Sequence, residues 1–190
     1  MVGFIPAIFK DKKVFALVWN EMHWVKSYGL QNKIQGNAKM KVVRLNEKFV
    51  NEFWRLRLQL FEELGEVNSH TNIFELEAAT KEYYTSHINK DLISWGIFDK
   101  DAVVASGALC LFERIPYHEN VTGKEGYILN VYTRPDYRKK GYAGLLVNEM
   151  IKYASQNGIR RLWLTSSEKG KRLYMQAGFV ERDNEMELFL

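Results

Sequence analysis

Asn130-Val-Tyr-Thr-Arg-Pro-Asp-Tyr-Arg-Lys-Lys-Gly-Tyr-Ala143 runs from the end of an apolar strand, through a basic turn, into the start of a long amphipathic helix. The strand, residues 127–133, carries apolar or aromatic side chains on both faces, as a central strand does. The first N–H groups of a helix lack intrahelical partners, and the macrodipole favours negative charge there. Arg138, Lys139 and Lys140 add side-chain cations at the same place, and Gly141 lets the backbone approach a ligand with no Cβ in the way. The ligand these features predict is a pyrophosphate. Together with Arg134, these cations repel one another unless something anionic answers them. The bland alternative is a solvated basic turn ahead of an ordinary helix.

Upstream and downstream, hydrophobic periodicity gives the element order β-α-α-β-β-β-α-β-α-β. Residues 40–45 read as a first strand. Asn46 can cap a helix running through Phe49, Phe53, Leu56, Leu60 and Leu64 to Gly65. Thr71 or Asn72 can cap a second helix reaching about Asn89. Residues 92–98 and 102–112 are strands joined by Asp99-Lys-Asp101, a hairpin signal, and a loop over 113–124 leads to the 127–133 strand. The helix after Gly141 shows a stripe at Ala143, Leu146, Val147, Met150, Ile151 and Ala154 and stops at Gly158. A strand at 161–165, a short helix at 168–177 ended by Gly178, and a last strand at 179–190, interrupted by Asp183-Asn184, complete the order.

Apolar residues make up 46% and aromatics 14% of the 190 residues, a composition that predicts one globular domain with a proper core. No run approaches the ~20 apolar residues that span a bilayer, so no membrane partner is expected. The net charge of +4 is carried by residues 1–39, where Lys10, Lys12, Lys13, Lys26, Lys33 and Lys39 face only Asp11 and Glu21. The rest is neutral overall, which disfavours a general nucleic-acid surface. Residues 1–39 also lack arginine and show weak periodicity, and Met40 is a plausible natural start. They are expected to be a non-native or peripheral extension to a domain spanning 40–190. The single cysteine, Cys110, lies in a strand-like run; it reads as a buried structural thiol, and a nucleophilic role would need a matched histidine. A reducing cytoplasm fits this usage. No metal-ligand set is read from the sequence.

Two motifs make the chain resemble the GNAT superfamily of acetyl-CoA-dependent N-acetyltransferases across residues 40–190. Arg138-Lys-Lys-Gly141-Tyr-Ala143 matches that family's pyrophosphate loop, Arg/Gln-x-x-Gly-x-Gly/Ala. Leu173-Tyr174-Met-Gln-Ala-Gly178-Phe179 matches its late Tyr-x-x-x-Gly-Phe segment. The resemblance implies an α+β, three-layer fold: a mixed, mostly antiparallel sheet of about six strands, helices on both faces, and a central strand pair splayed at a bulge near Asn130 and Val131. It implies that Val131, Tyr132 and Thr133 line the pantetheine arm of acetyl-CoA. It further implies that Arg138, Lys139, Lys140, Gly141, Tyr142, Ala143 and Gly144 cover the pyrophosphate. Ser167, where the family often has asparagine, caps the last helix and stays open as a pantetheine contact.

By the same resemblance Tyr174 is the catalytic candidate. A tyrosine hydroxyl, with a pKa of about 10, is protonated at neutral pH and can donate to the thiolate leaving group, whose conjugate acid lies near ~8.5. A core tyrosine packed beside Leu173 and Ala177 is the alternative. No general base is assigned: Glu113, His118, Glu119 and Glu125 lie near the central strand in sequence, each readable as a solvated loop residue. Asn130 can orient a water or bond within the bulge. Arg55, Arg57, Glu62, Glu63 and Glu66 fall on the first helix, either facing the acceptor cleft or forming its polar face, the latter by default; Trp54 and Phe61 read as core. The implied activity is transfer of an acetyl group from acetyl-CoA to a primary amine by direct attack. The alternative is a non-catalytic acyl-CoA-binding module. The acceptor, a small-molecule amine or a protein amino group, and homodimer formation stay open.

Overall fold

Lys100, in a left-handed conformation (φ 53°), sits in the two-residue turn between β2 (Leu92–Asp99) and β3 (Ala102–Glu113), the hairpin the sequence predicts. These strands belong to the part of the chain that the computed structural model describes, residues 40–182 and 186–188. The chain divides into two units, Met1–Lys39 and Met40–Leu190. The expectations for residues 1–39 and for Asp183-Asn184 fall outside the described residues.

β1 (Val42–Arg44) pairs antiparallel with β2, and β4 (Lys124–Thr133) antiparallel with β3. β5 (Arg161–Trp163) joins β4 in parallel, giving one five-stranded sheet in the order β1-β2-β3-β4-β5. A 3-10 turn, Glu47–Phe49, capped by the Asn46 side chain (3.1 Å to the Lys48 N–H), leads into α1 (Val50–Leu64). α1 ends at Gly65 (φ 73°), a left-handed stop that costs glycine little. Asn72 caps α2 (Ile73–His87), accepting from the Glu75 N–H at 3.2 Å and donating to the Glu75 carboxylate at 3.0 Å. α3 (Tyr142–Gln156) and α4 (Glu168–Gln176) follow β4 and β5.

Burial explains the layering. Leu146 and Met150 of α3 close one face of the sheet against Ile93, Trp95, Ile97, Val104 and Ile128. Phe53 and Leu56 of α1 and Tyr84 of α2 close the other face against Leu92, Ala108, Val103 and Tyr132. Tyr84 is wholly buried and its hydroxyl donates to the Asn46 carbonyl (3.0 Å), tying α2 to the cap of α1.

One expectation needs correction. Residues 179–182 and 186–188 form no strand, so the described sheet has five strands rather than about six. A strand needs one face to bury, and Val180 (81%), Met186 (100%) and Leu188 (81%) are exposed. Between them, Glu181-Arg-Asp-Asn-Glu185 has no apolar alternation to set a register. β4 also begins three residues earlier than expected, at Lys124, which brings Glu125 into the sheet.

Candidate functional site

The chemistry of the sheet centres on one irregularity. Ala108 pairs with Leu129 and Ser106 with Tyr132, so Asn130 and Val131 together face the single residue Gly107. This is a β-bulge, at the position expected, and Asn130 sits in it with a left-handed φ of 58°. Gly107 packs closely opposite: a Cβ there would lie 2.4 Å from the flexible Met150 Cε, which would have to move, and 3.4 Å from Val131 Cγ2. On its other side β4 pairs with β5 only from Glu125↔Arg161 to Tyr127↔Trp163. Beyond Tyr127 its edge has no strand partner among the described residues. The floor of this opening is closed by the Tyr127 ring against Trp163 (4.5 Å) and by its hydroxyl on Thr165 Oγ1 (3.3 Å).

The open edge leads directly into the basic turn. Pro135–Tyr137 forms a 3-10 turn, Lys139 (φ 60°) and Gly141 (φ 80°) are left-handed, and α3 starts at Tyr142. Among the described residues, the backbone N–H groups of residues 139–144 donate to no carbonyl and no side chain. A Cβ on Gly141 would meet nothing within 4 Å, so this row of donors is open. Such a nest at a helix start suits an anion of two linked phosphates.

The cations of the turn are answered differently from the expectation. Arg138 forks onto Glu63 of α1, with Nη1 on Oε1 at 3.0 Å and Nη2 on Oε2, while its Nε donates to the Thr133 carbonyl (2.9 Å). Lys169 Nζ of α4 approaches the same carboxylate at 3.8 Å. Lys140 and Arg134 lie over the Tyr137 ring, at 4.8 and 5.8 Å. An internal carboxylate and an aromatic face thus neutralise part of the repulsion, and the backbone is the principal anion receptor. The hydrogen bond from Arg138 holds the Glu63 carboxyl below its ordinary value of 4.5, burial opposing, with the charges of Arg138 and Lys169 helping. A carboxylate with a depressed pKa adds stability at neutral pH that disappears as pH falls through its folded value. Glu63→Gln is therefore expected to cost about 0.5–1 kcal/mol at pH 7, a surface-pair magnitude. The difference from the parent should vanish well below pH 4.5, as read from thermal midpoints at both pH values.

Each remaining candidate has a definite place. Val131 points to the α3 side and packs on its core, while the Tyr132 side chain is buried against Leu56 and Val103. Tyr132 therefore has its backbone to offer a ligand, and Thr133 keeps a buried, unpartnered Oγ1. Tyr142 packs against the α3-side core, and Ala143 is half-buried in the first turn of α3. A Cβ on Gly144 would touch Leu173 Cδ1 at 3.7 Å, so α3 and α4 meet closely there. Ser167 caps α4, its Oγ accepting from the Gly170 N–H (3.2 Å). Tyr174 follows two turns on. Gly178 (φ 94°) folds the chain so that the Phe179 N–H reaches the Tyr174 carbonyl (3.0 Å) and its ring meets Tyr174 edge-on at 5.8 Å. The ring packs beside Gly170, where a Cβ would lie 3.4 Å from Tyr174 Cε2, an ordinary contact. Burial, then nearby Tyr127, raises the Tyr174 hydroxyl to about 12.

No acid from the 113–125 region stands free at the bulge. Glu125, read as a solvated loop residue, is instead 1% exposed within β4. It accepts from Tyr117 Oη (2.9 Å) and Arg161 Nη1 (3.2 Å), with Arg114 Nη1 at 3.7 Å. Three partners consume it in anchoring the loop. Glu113 is exposed, and His118 pairs loosely with Glu119 at 3.9 Å. Cys110 is half-buried, its thiol raised by burial, with Tyr83 Oη 3.7 Å away. His87 stacks on Tyr83 and bonds Asp91 (2.8 Å), so it does not pair with the thiol.

Arg57 departs from its default reading. Rather than lying on a polar face, it is half-buried over the Phe61 ring (4.4 Å) and donates from Nη1 to Asn130 Oδ1 in the bulge (3.1 Å). The signal was available in the sequence: Phe53, Arg57 and Phe61 fall four apart, on one stripe of α1.

Solved structures share this architecture. A predicted acetyltransferase from Clostridium acetobutylicum, determined with acetyl-CoA, superposes with a TM-score of 0.72 at 24% identity, over 79% of this chain and 96% of that one. A GCN5-related N-acetyltransferase from Ralstonia eutropha JMP134 gives 0.72 at 23% identity, over 80% and 98%. Glucosamine-6-phosphate N-acetyltransferase from Arabidopsis thaliana gives 0.60 at 18%, over 80% and 99%. At these identities the likeness is one of fold. No curated protein sequence matches the chain significantly. The sequence model of the acetyltransferase (GNAT) family matches residues 53–179, which include the bulge, the basic turn and Tyr174. The chain belongs to the GNAT family and is an acyltransferase.

Proposed function

We propose that the chain moves an acetyl group from acetyl-CoA to a primary amine by direct attack, with no covalent enzyme intermediate. The observation that carries this reading is the continuity of the unpaired β4 edge beyond Tyr127 with the open N–H groups of residues 139–144. The cosubstrate fits this chain: the edge can pair with the amides of a pantetheine arm, and the row of donors at Gly141 can hold its pyrophosphate. When bound, acetyl-CoA supplies the acetyl group as a thioester, from which the amine nitrogen gains a C–N bond as the C–S bond breaks. Val131, Tyr132 and Thr133 hold the arm through backbone groups. Arg138 acts through position, fixing the turn to Glu63 and to the Thr133 carbonyl. The Tyr174 hydroxyl donates a hydrogen bond to the sulfur as negative charge develops there. With a pKa of about 12 against ~8.5 for a thiol, it stabilises the thiolate without surrendering its proton outright.

A second reading, a non-catalytic acyl-CoA-binding module, is favoured by one observation: none of the acids of residues 113–125 stands free at the bulge to take the amine proton. Calorimetry with acetyl-CoA and release of free CoA across an amine panel separate the two. Binding with turnover supports the transferase, and binding with no turnover on any amine supports the module. A small-molecule or protein amine as acceptor, a homodimer and a cytoplasmic setting belong to the proposal. Among the described residues no helix is long and apolar enough to cross a membrane. The activity is assigned to Met40–Leu190. A chain beginning at Met40 is expected to fold with a cooperative thermal transition and to keep acetyl-CoA affinity within about threefold; loss of either would place residues 1–39 within the working domain.

A further inference from the structure

The surroundings of Arg57 bear on which amines the cleft accepts, an inference that rests on the acetyl-transfer reading. A guanidinium carries five N–H donors, and Arg57 directs one of them to Asn130 Oδ1. Its Cζ lies 4.4 Å over the Phe61 ring, and among the described residues it forms no ion pair. Asn130 is 4% exposed, and with its oxygen taken by Arg57 its Nδ2 is buried with no partner. Burial also weakens the hold of Arg57 on its proton, against the favourable fields of Cys110, Glu66 and Tyr127. An amide N–H buried without an acceptor costs free energy, so structures rarely keep one unless a ligand or water completes it. The unpartnered Asn130 amide and the Arg57 guanidinium beside it are both donors. The pair therefore favours acceptor atoms that carry negative charge, and it repels a second ammonium.

We propose that Arg57 and Asn130 bind a carboxylate on the acceptor, so that the amine acetylated belongs to a compact amino acid rather than to a polyamine. Asn130 lies within the β4 edge that faces the opening, so a carboxylate held there keeps its own amine beside the site of attack. A carboxylate also matches the fork of a guanidinium better than any neutral group does. The Arg57 charge disfavours the ammonium form of a nearby amine, which supplies part of the deprotonation that the acids of residues 113–125 do not provide.

The test uses the full chain with acetyl-CoA and three matched pairs: alanine against ethylamine, phenylalanine against phenethylamine, and leucine against isoamylamine. Release of free CoA is expected to give the amino acids a kcat/KM about 10- to 100-fold higher. Arg57→Gln should collapse that ratio to about one and Arg57→Lys should keep part of it, with calorimetric acetyl-CoA affinity unchanged in both. Equal or better use of the decarboxylated amines overturns the inference and leaves acetyl transfer standing. Absence of acetyl-CoA binding removes the underlying reading instead. If acetyl-CoA binds and no acceptor turns over, calorimetry on the CoA-saturated chain compares N-acetylphenylalanine with N-acetylphenethylamine. Tighter binding of the former supports the carboxylate site, and equal affinity overturns it.

Discussion

Tyr174→Phe is expected to lower the rate of acetyl transfer by about 10²–10³-fold, the loss that follows removal of one preorganised donor to developing negative charge. The substitution removes a single oxygen. The ring keeps its edge-on contact with Phe179 and its space beside Gly170. Among the described residues the hydroxyl forms no hydrogen bond whose loss would orphan a partner. Stability and acetyl-CoA affinity should therefore stay close to the parent's, and the loss should fall on the chemical step, read in a single-turnover experiment. The pH dependence adds a second check. With its pKa raised to about 12, the hydroxyl is protonated throughout pH 6–10, so the ratio of parent to variant rates should be flat over that range. A variant that turns over at the parent's rate, or a ratio that changes tenfold with pH, would remove Tyr174 from this role.

Local signals carried most of the fold. Lys100 in its tight turn, Gly65 as a left-handed stop and the Asn72–Glu75 cap are short-range devices, and the structure uses each where the residues indicate. The bulge at Asn130 was legible through the family resemblance; its surroundings, Gly107 beside Met150 and Val131, join residues distant in sequence. The same limit explains the misread polar residues. Glu125 looks like a loop acid until Arg114, Tyr117 and Arg161 close around it. Arg138 looks free until Glu63, a full helix and three strands earlier, reaches it. A single sequence shows which residues carry charge and not which charges meet. The last strand failed for the opposite reason: its apolar residues suggest pairing, and Val180 and Leu188 stay exposed, with no strand partner among the described residues.

Gly141→Glu is expected to weaken acetyl-CoA binding by about 10²-fold or more, measured as a dissociation constant by calorimetry. Two effects separate cleanly at this position. The first is conformational. Gly141 sits at φ 80°, where a side chain costs roughly 1–2 kcal/mol, yet a Cβ there meets nothing within 4 Å, so no steric clash blocks folding. In a domain of this size that penalty lowers the thermal midpoint by about 2–8 °C. The second effect is electrostatic. A carboxylate placed among the free N–H groups of residues 139–144 takes up their positive field and faces the pyrophosphate. Two like charges ~5 Å apart at an effective dielectric near 20 repel by about 3 kcal/mol, or roughly two orders of magnitude in affinity. Gly141→Ala carries the conformational cost without the charge. It should lower the midpoint similarly while changing affinity far less. Raising the salt concentration should recover part of the affinity of the glutamate variant and little of any loss in the alanine variant. Parent-like acetyl-CoA affinity in a folded Gly141→Glu chain would move the pyrophosphate away from this turn and leave the free N–H groups without their ligand.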